Sequence, residues 1–150
     1  MQASFRMAAE QDIAGLLPLA RDFCIFERMS FDPVQRTDLL MQLITEPRNG
    51  RLVVIADGRE FAGYYVLGFN FSIEFGGVNA ILDELYVRPE YRNQGLGTAA
   101  LEHAFALCRS LGISCLHLEA DYFNERAHAL YLRHGFKDHE RHLMTKWLRT

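Results

Sequence analysis

The sequence predicts a single α/β domain built on a mixed, mostly antiparallel sheet flanked by helices. Three observations lead there. The 150 residues are 49% apolar and 23% charged, the composition of one globular domain with a real core. The apolar spacing changes along the chain in the order strand, two helices, three strands, helix, strand, helix, strand. Asp57-Gly58 stands between two strand-like runs, a hairpin signal that makes the central strands antiparallel. The later alternation of strand and helix implies a parallel crossover.

The elements follow in order. SFRMA, residues 4–8, is short and alternating and predicts a first strand. Residues 8–29 predict a helix, with Ile13, Leu16, Leu17 and Ala20 at helical spacing and Pro18 as a possible kink. Residues 32–46 predict a second helix, with Asp32 as N-cap, Pro33 at the first helical position, and Leu39, Leu40, Leu43 and Ile44 on one face. RLVVIADG (51–58), REFAGYYVLGFNFS (59–72) and VNAILDELYV (78–87) predict a three-stranded meander. GTAALEHAFALCRSLG (97–112) predicts a helix stopped at Gly112, CLHLEA (115–120) a strand, and NERAHALYLRHG (124–135) a helix. RHLMTKWL (141–148) is expected to form a last strand. No repeat, low-complexity tract or linker separates these elements, so one domain over 1–150 is expected.

Composition excludes several function classes. Sixteen Lys and Arg against nineteen Asp and Glu give a net charge of −3, which argues against a dedicated nucleic-acid binder. No run approaches the roughly 18 apolar residues of a membrane helix. The N-terminus has no apolar core of a signal peptide. Cys24, Cys108 and Cys115 form no CxxC pair, and reduced thiols in a cytoplasmic protein are the expectation. Six histidines show no HExxH or Cys-paired spacing, so surface or structural roles are expected and no metal site.

The densest chemical signal is YVRPEYRNQGLGTAAL, Tyr86 to Leu101. A strand runs through a proline into two glycines and then an apolar helix. A helix start leaves up to about four backbone N–H groups without partners and carries partial positive charge. Glycine lets the backbone approach an anion closely, and Arg92 adds a cation. Together these suit a phosphate or pyrophosphate; a ligand-free glycine turn is the structural alternative. The dinucleotide fingerprint would need a third glycine where Ala100 stands, and it normally follows a first strand. The P-loop Gly-Lys-Ser/Thr is absent.

The surroundings resemble the GNAT superfamily of N-acetyltransferases. The R/Q-x-x-G-x-G/A pattern is met by Arg92 to Gly97 after Val87-Arg88-Pro89. The downstream N-x-x-A-x-x-x-Y-x-x-x-G-F pattern is met by Asn124, Ala127, Tyr131, Gly135 and Phe136. The resemblance covers about residues 80 to 137, and the first half shares only the order of elements. It implies a splayed central strand pair and acetyl-CoA as acyl donor. It places the pyrophosphate on the loop Arg92, Asn93, Gln94, Gly95, Leu96, Gly97 and Thr98, and the pantetheine arm beside Leu85, Tyr86 and Val87. The Val87 N–H would polarise the thioester carbonyl. Asn124, Ala127 and Tyr131 would complete the cofactor side. Family members are often homodimers, and that is the expectation for this chain.

Acetyl transfer to an amine poses two proton problems. The amine must lose a proton, and a departing thiolate of pKa about 8.5 is helped by gaining one. Asn124, Ala127 and Tyr131 share one helix face; Tyr131 is either a core aromatic or, with the motif complete, the general acid. Asp83 and Glu84 interrupt an apolar strand and point to opposite faces. A buried acid there needs a partner, solvent or a function. Glu84 is the first candidate base and Asp83 the second; either acid could instead face solvent or pair with an arginine, and some family members need no dedicated base. Phe26, Glu27 and Phe31, near the junction of the first two helices, are candidate acceptor-binding residues with Glu84. Tyr65 or Phe69 could line a pocket but suit the core better. The expected acceptor is a primary amine of a small molecule or peptide. A non-catalytic acyl-CoA-binding or regulatory module and a Rossmann-type nucleotide domain are the alternatives.

Overall fold

The computed structural model describes residues 2–149. The chain divides into two compact units, Met1–Glu119 and Ala120–Thr150, each described by itself. No helix among the described residues is long and apolar enough to cross a membrane.

The first unit contains β1 (Ala3–Met7), α1 (Ile13–Phe26), α2 (Pro33–Thr45), β2 (Gly50–Asp57), β3 (Glu60–Ser72), β4 (Gly77–Val87), α3 (Leu96–Ser110) and β5 (Leu116–Leu118). The strands form one sheet in the order β1-β2-β3-β4-β5. The first three pairings are antiparallel and β4–β5 is parallel, so the sheet is mixed and mostly antiparallel, as predicted. Asp57 pairs with Glu60 across the expected hairpin. The β4–β5 ladder covers only Ala80–Leu82 against Leu116–Leu118, while β4 runs on to Val87. That is the splayed pair the resemblance implies.

Helices cover both faces because side chains on a strand alternate. Leu52, Val54 and Ala56 of β2, Tyr64 and Val66 of β3, and Tyr86 of β4 meet Ile13, Leu16, Ala20, Phe23 and Leu40 of α1 and α2. Val53, Ile55, Tyr65 and Leu67 alternate with these and are fully buried. The other helix, α3, packs against β4 and β1 and buries Leu96, Ala100, Leu101, Ala104 and Cys108. Each large apolar side chain so buried contributes roughly 1.5–3 kcal/mol.

Helix ends follow their sequence signals. Asp32 Oδ1 accepts from the Val34 and Gln35 N–H groups at 3.0 and 3.2 Å, with Pro33 at the first helical position. Pro18 does not break α1, which runs from Ile13 to Phe26 with the neighbouring Leu16, Leu19 and Ala20 buried. At the end of α3, Gly112 is left-handed (φ 72°). Its N–H donates to Arg109 O and the Ile113 N–H to Cys108 O, the double bond of a Schellman stop. The end of α1 closes the same way, but its left-handed residue is Arg28 (φ 58°), with Arg28 N–H donating to Ile25 O and Met29 N–H to Cys24 O.

Strand β4 carries an irregularity that alternation alone misses. Val66 pairs with Glu84 but Leu67 pairs with Leu82, so Asp83 is the extra residue of a bulge. The bulge flips the parity. Glu84 does not share a face with Leu82, as strict alternation expected; it joins Tyr86 and Tyr64 beneath α1 and α2.

The second unit contains one helix, α4 (Glu125–Arg133), and no strand among the described residues. The last strand expected over 141–148 is therefore not formed. Its apolar residues Leu143, Met144, Trp147 and Leu148 come in adjacent pairs, not in alternation, so no single strand face would collect them. All four are exposed. Glu140 also takes a left-handed backbone (φ 54°) just upstream, which turns the chain out of an extended path.

Candidate functional site

The splayed end of β4 leads through a short 3-10 turn, Pro89–Tyr91, to the glycine loop and α3. Asn93 and Gly95 both have positive φ, 61° and 81°, and Gly95 is the residue that caps α3. A side chain at Gly95 would meet nothing within 4 Å, so the loop is tight in backbone but open in front. Asn93, Gln94 and Gly95 are exposed and Leu96 anchors the helix start in the core. The first helical ladder bond reaches back from the Ala99 N–H to Gly95 O; the amides of Leu96 and Gly97 precede it at the positive end of a 15-residue helix. This surface has the chemistry of an anion cradle.

Arg92 ties the loop to the strand end. Its Nε donates to Val87 O at 2.8 Å. Its guanidinium lies 5.5 Å from the Tyr86 ring and 5.8 Å from the Phe26 ring, within cation–π reach. The sequence points Arg92 at an anion; here the same group also braces Tyr86 and Val87. Phe26 from the proposed acceptor region is thus brought to the loop. Glu27 is half-buried at the C-terminal cap of α1. Phe31 packs against the core under α1 and α2.

The two candidate carboxylates have opposite surroundings. Asp83 is exposed at the bulge. Glu84 is buried, at 8% exposure, and both of its oxygens are engaged. Arg36 Nη1 of α2 donates to Oε2 at 2.6 Å, and the Tyr64 hydroxyl donates to Oε1 at 2.8 Å. The second Arg36 nitrogen, Nη2, donates to Cys24 Sγ at 2.9 Å. Burial works against the Arg36 charge, but hydrogen bonding and attraction to Glu84 offset it and raise its pKa. Burial, reinforced by the Glu84 charge, pushes the Tyr64 hydroxyl far up, so it stays a donor. Burial also raises the Cys24 thiol, against the pull of Arg36. Sequence reasoning missed Arg36 and Tyr64. The available signal was Arg36 four residues before Leu40, on the apolar face of α2.

In the second unit the downstream motif is built into the helix itself. Asn124 Oδ1 accepts from the Ala127 N–H at 3.2 Å and caps α4. At the other end Gly135 is left-handed (φ 87°), its N–H donates to Leu132 O, and the Phe136 N–H donates to Tyr131 O. The Tyr131 and Phe136 rings meet edge-on at 5.8 Å. This is a Schellman stop with its usual apolar contact, so N-x-x-A and Y-x-x-x-G-F each delimit the helix whatever else they do. Among the described residues, no three His, Cys, Asp or Glu side chains gather as a metal site.

The profile of the acetyltransferase (GNAT) family matches residues 18–136, which includes both motifs and most of the sheet. The chain belongs to the GNAT acetyltransferase family. An uncharacterized N-acetyltransferase of Bacillus subtilis, YhfO, is 27% identical over 135 residues, covering 90% of each chain. The thialysine N-epsilon-acetyltransferase of Bos taurus is 29% identical over 149 residues, covering 89% of this chain and 83% of its own length. The crystal structure of an integron cassette protein from the mobile metagenome of Cole Harbour Salt Marsh superposes with a TM-score of 0.85 at 32% identity, covering 97% of this chain and 91% of that one. As a GNAT protein the chain is an acyltransferase, its family donor is acetyl-CoA, and its reaction class is N-acetylation of an amine. The exposed glycine loop and the open end of β4 fit that donor, with the amides of Leu96 and Gly97 at the positive end of α3 and, among the described residues, no pairing of β4 with β5 beyond Leu82.

Proposed function

We propose that this chain moves an acetyl group from acetyl-CoA to a primary amine of a small molecule or peptide by direct attack, without a covalent enzyme intermediate. The observation that carries the reading is the R-x-x-G-x-G loop at the start of α3, inside the GNAT match, with left-handed backbone at Asn93 and Gly95.

In this reading the loop from Arg92 to Thr98 holds the pyrophosphate on amides at the start of α3, the Arg92 N–H itself donating to Pro89 O. Leu85, Tyr86 and Val87 run beside the thioester arm, and the Val87 N–H stabilises the oxyanion as it develops. The amine nitrogen forms a bond to the acyl carbon and the carbon–sulfur bond breaks. Tyr131 gives its hydroxyl proton to the leaving sulfur and regains one from water. The proton lost by the amine leaves through water to a strand carboxylate. Asp83 is exposed and Glu84 is doubly engaged, which supports Asp83 for this step and Glu84, paired with Arg36, as a fixed group beside the acceptor. Phe26 and Glu27 flank the acceptor from the end of α1, and Asn124 and Ala127 set the start of the helix that carries Tyr131.

The test is release of free CoA thiol from acetyl-CoA across a panel of primary amines, with calorimetry of acetyl-CoA and NAD in parallel. Amine-dependent thiol release and acetyl-CoA binding are expected. Binding without release from any amine would make the chain a passive acyl-CoA module, and tight NAD binding would overturn the donor assignment.

A further inference from the structure

The Glu84 carboxylate holds an internal cation. Arg36 reaches it from the first turn of α2, across 48 residues of sequence. The four groups that meet here come from four elements: Arg36 from α2, Cys24 from α1, Tyr64 from β3 and Glu84 from β4. The cluster is closed, with Arg36 at 15% and Glu84 at 8% side-chain exposure. Its charges sum to zero, so it presents no free anion. A buried ion pair is a poor stabiliser, since desolvating both partners consumes most of their attraction and an apolar pair of similar size often does as well. What Arg36 supplies that an apolar residue would not is cancellation of the Glu84 charge.

Position gives that cancellation a consequence. The Tyr64 ring, hydrogen-bonded to Glu84, lies 6.3 Å from the Tyr86 ring, and Tyr86 carries the Arg92 guanidinium and, beyond it, Phe26. Glu84 lies two and three residues before Tyr86 and Val87 on β4, about 7–10 Å along the strand. This is the span of a short diamine whose first nitrogen reacts at Val87. Without Arg36, the second nitrogen of such a diamine would meet a buried carboxylate.

We propose that Arg36 is a specificity-determining residue: its guanidinium fills the place on Glu84 that a second cationic group of an acceptor would take. The protein then acetylates amines whose one positive charge near the reaction is the reacting ammonium, and it gains nothing from a second ammonium. The inference rests on the proposed function, with the acceptor entering beside β4 under α1 and α2.

The experiment compares kcat/KM, per reactive nitrogen, for 1-aminopentane and 1,5-diaminopentane in the wild type, Arg36→Met and Arg36→Lys. The wild type is expected to show no preference for the diamine. Arg36→Met raises the diamine-to-monoamine ratio by about tenfold or more, the scale of one partly buried charge contact. Arg36→Lys, which keeps the charge, stays near the wild-type ratio. A purely structural role would lower both rates together and leave the ratio alone. Should Arg36→Met fail to fold, the wild-type ratio and that of an Arg36→Gln variant decide. A wild-type preference for the diamine of tenfold, or an active charge-removing variant with an unchanged ratio, overturns the inference. Absence of transfer to any amine in the screen is instead the failure of the proposed function.

Discussion

Tyr131 stands three residues before the cap of α4, where its carbonyl accepts from the Phe136 N–H and its ring meets Phe136. Those contacts use the backbone and the ring; the proposed acid role uses the hydroxyl. Tyr131→Phe separates them, because it keeps ring and carbonyl and removes one oxygen. Turnover is expected to fall at least several-fold, toward about 10²-fold if the acid step limits the rate. Acetyl-CoA affinity by calorimetry should hardly move. Unchanged turnover across the pH range would remove Tyr131 from the proton path. Glu84 marks how far residues could be read alone. An acid within an apolar strand signals a partner or a function, and that much was visible. The partner was not, since Arg36 lies 48 residues away on a helix, and nothing local in β4 points to it.

Elements were legible where a residue type has a single geometric meaning. Asp32-Pro33 and Gly112 each mark a helix end that the structure closes as expected, and Gly135 closes α4 in the same way as Gly112. Arg28 does so without glycine, and its left-handed backbone leaves no trace in composition. The bulge at Asp83 is hidden for a related reason: it is a property of the β3–β4 register, not of either strand. The expected last strand does not form because the apolar residues at 143–148 come in adjacent pairs and not in alternation. The Arg28 conformation has a measurable cost. A non-glycine residue in the left-handed region gives up roughly 1–2 kcal/mol, and glycine returns part of that as extra unfolded-state freedom, about 0.5–1 kcal/mol. The backbone part of Arg28→Gly is therefore a stabilisation of about 0.5–1 kcal/mol, which by itself raises Tm by roughly 1–4 °C. Thermal unfolding of the two proteins checks this. A lower Tm would show that the Arg28 side chain holds more than its backbone gives up.

Over the sheet as a whole, the mixed order and the two helical layers follow from the succession of periodicities, but what fastens the second layer does not. His103 of α3 faces β3 and β1 at once. Its Nδ1 is 2.7 Å from the hydroxyl of the fully buried Tyr65, and its ring stacks on Phe5 at 4.8 Å. Burial pushes the Tyr65 hydroxyl up, so it stays protonated and can donate to Nδ1 when the imidazole is neutral with its proton on Nε2. Burial likewise lowers the His103 pKa from its ordinary 6.5. The unfolded chain then binds this proton more readily than the fold does. Its contribution to stability is complete above pH 6.5, is lost as pH falls from there through the lower folded-state pKa, and levels off below it. His103→Gln retains an acceptor for Tyr65 but cannot titrate. Urea midpoints of wild type and variant, compared at pH 8 and near pH 5, should therefore converge or cross on acidification, the wild type losing more. Carboxylates elsewhere titrate in both proteins and cancel in the difference. A constant gap between the two midpoints would mean that His103 accepts its proton within the fold as easily as in water, and that the contact between α3 and the sheet is indifferent to its charge.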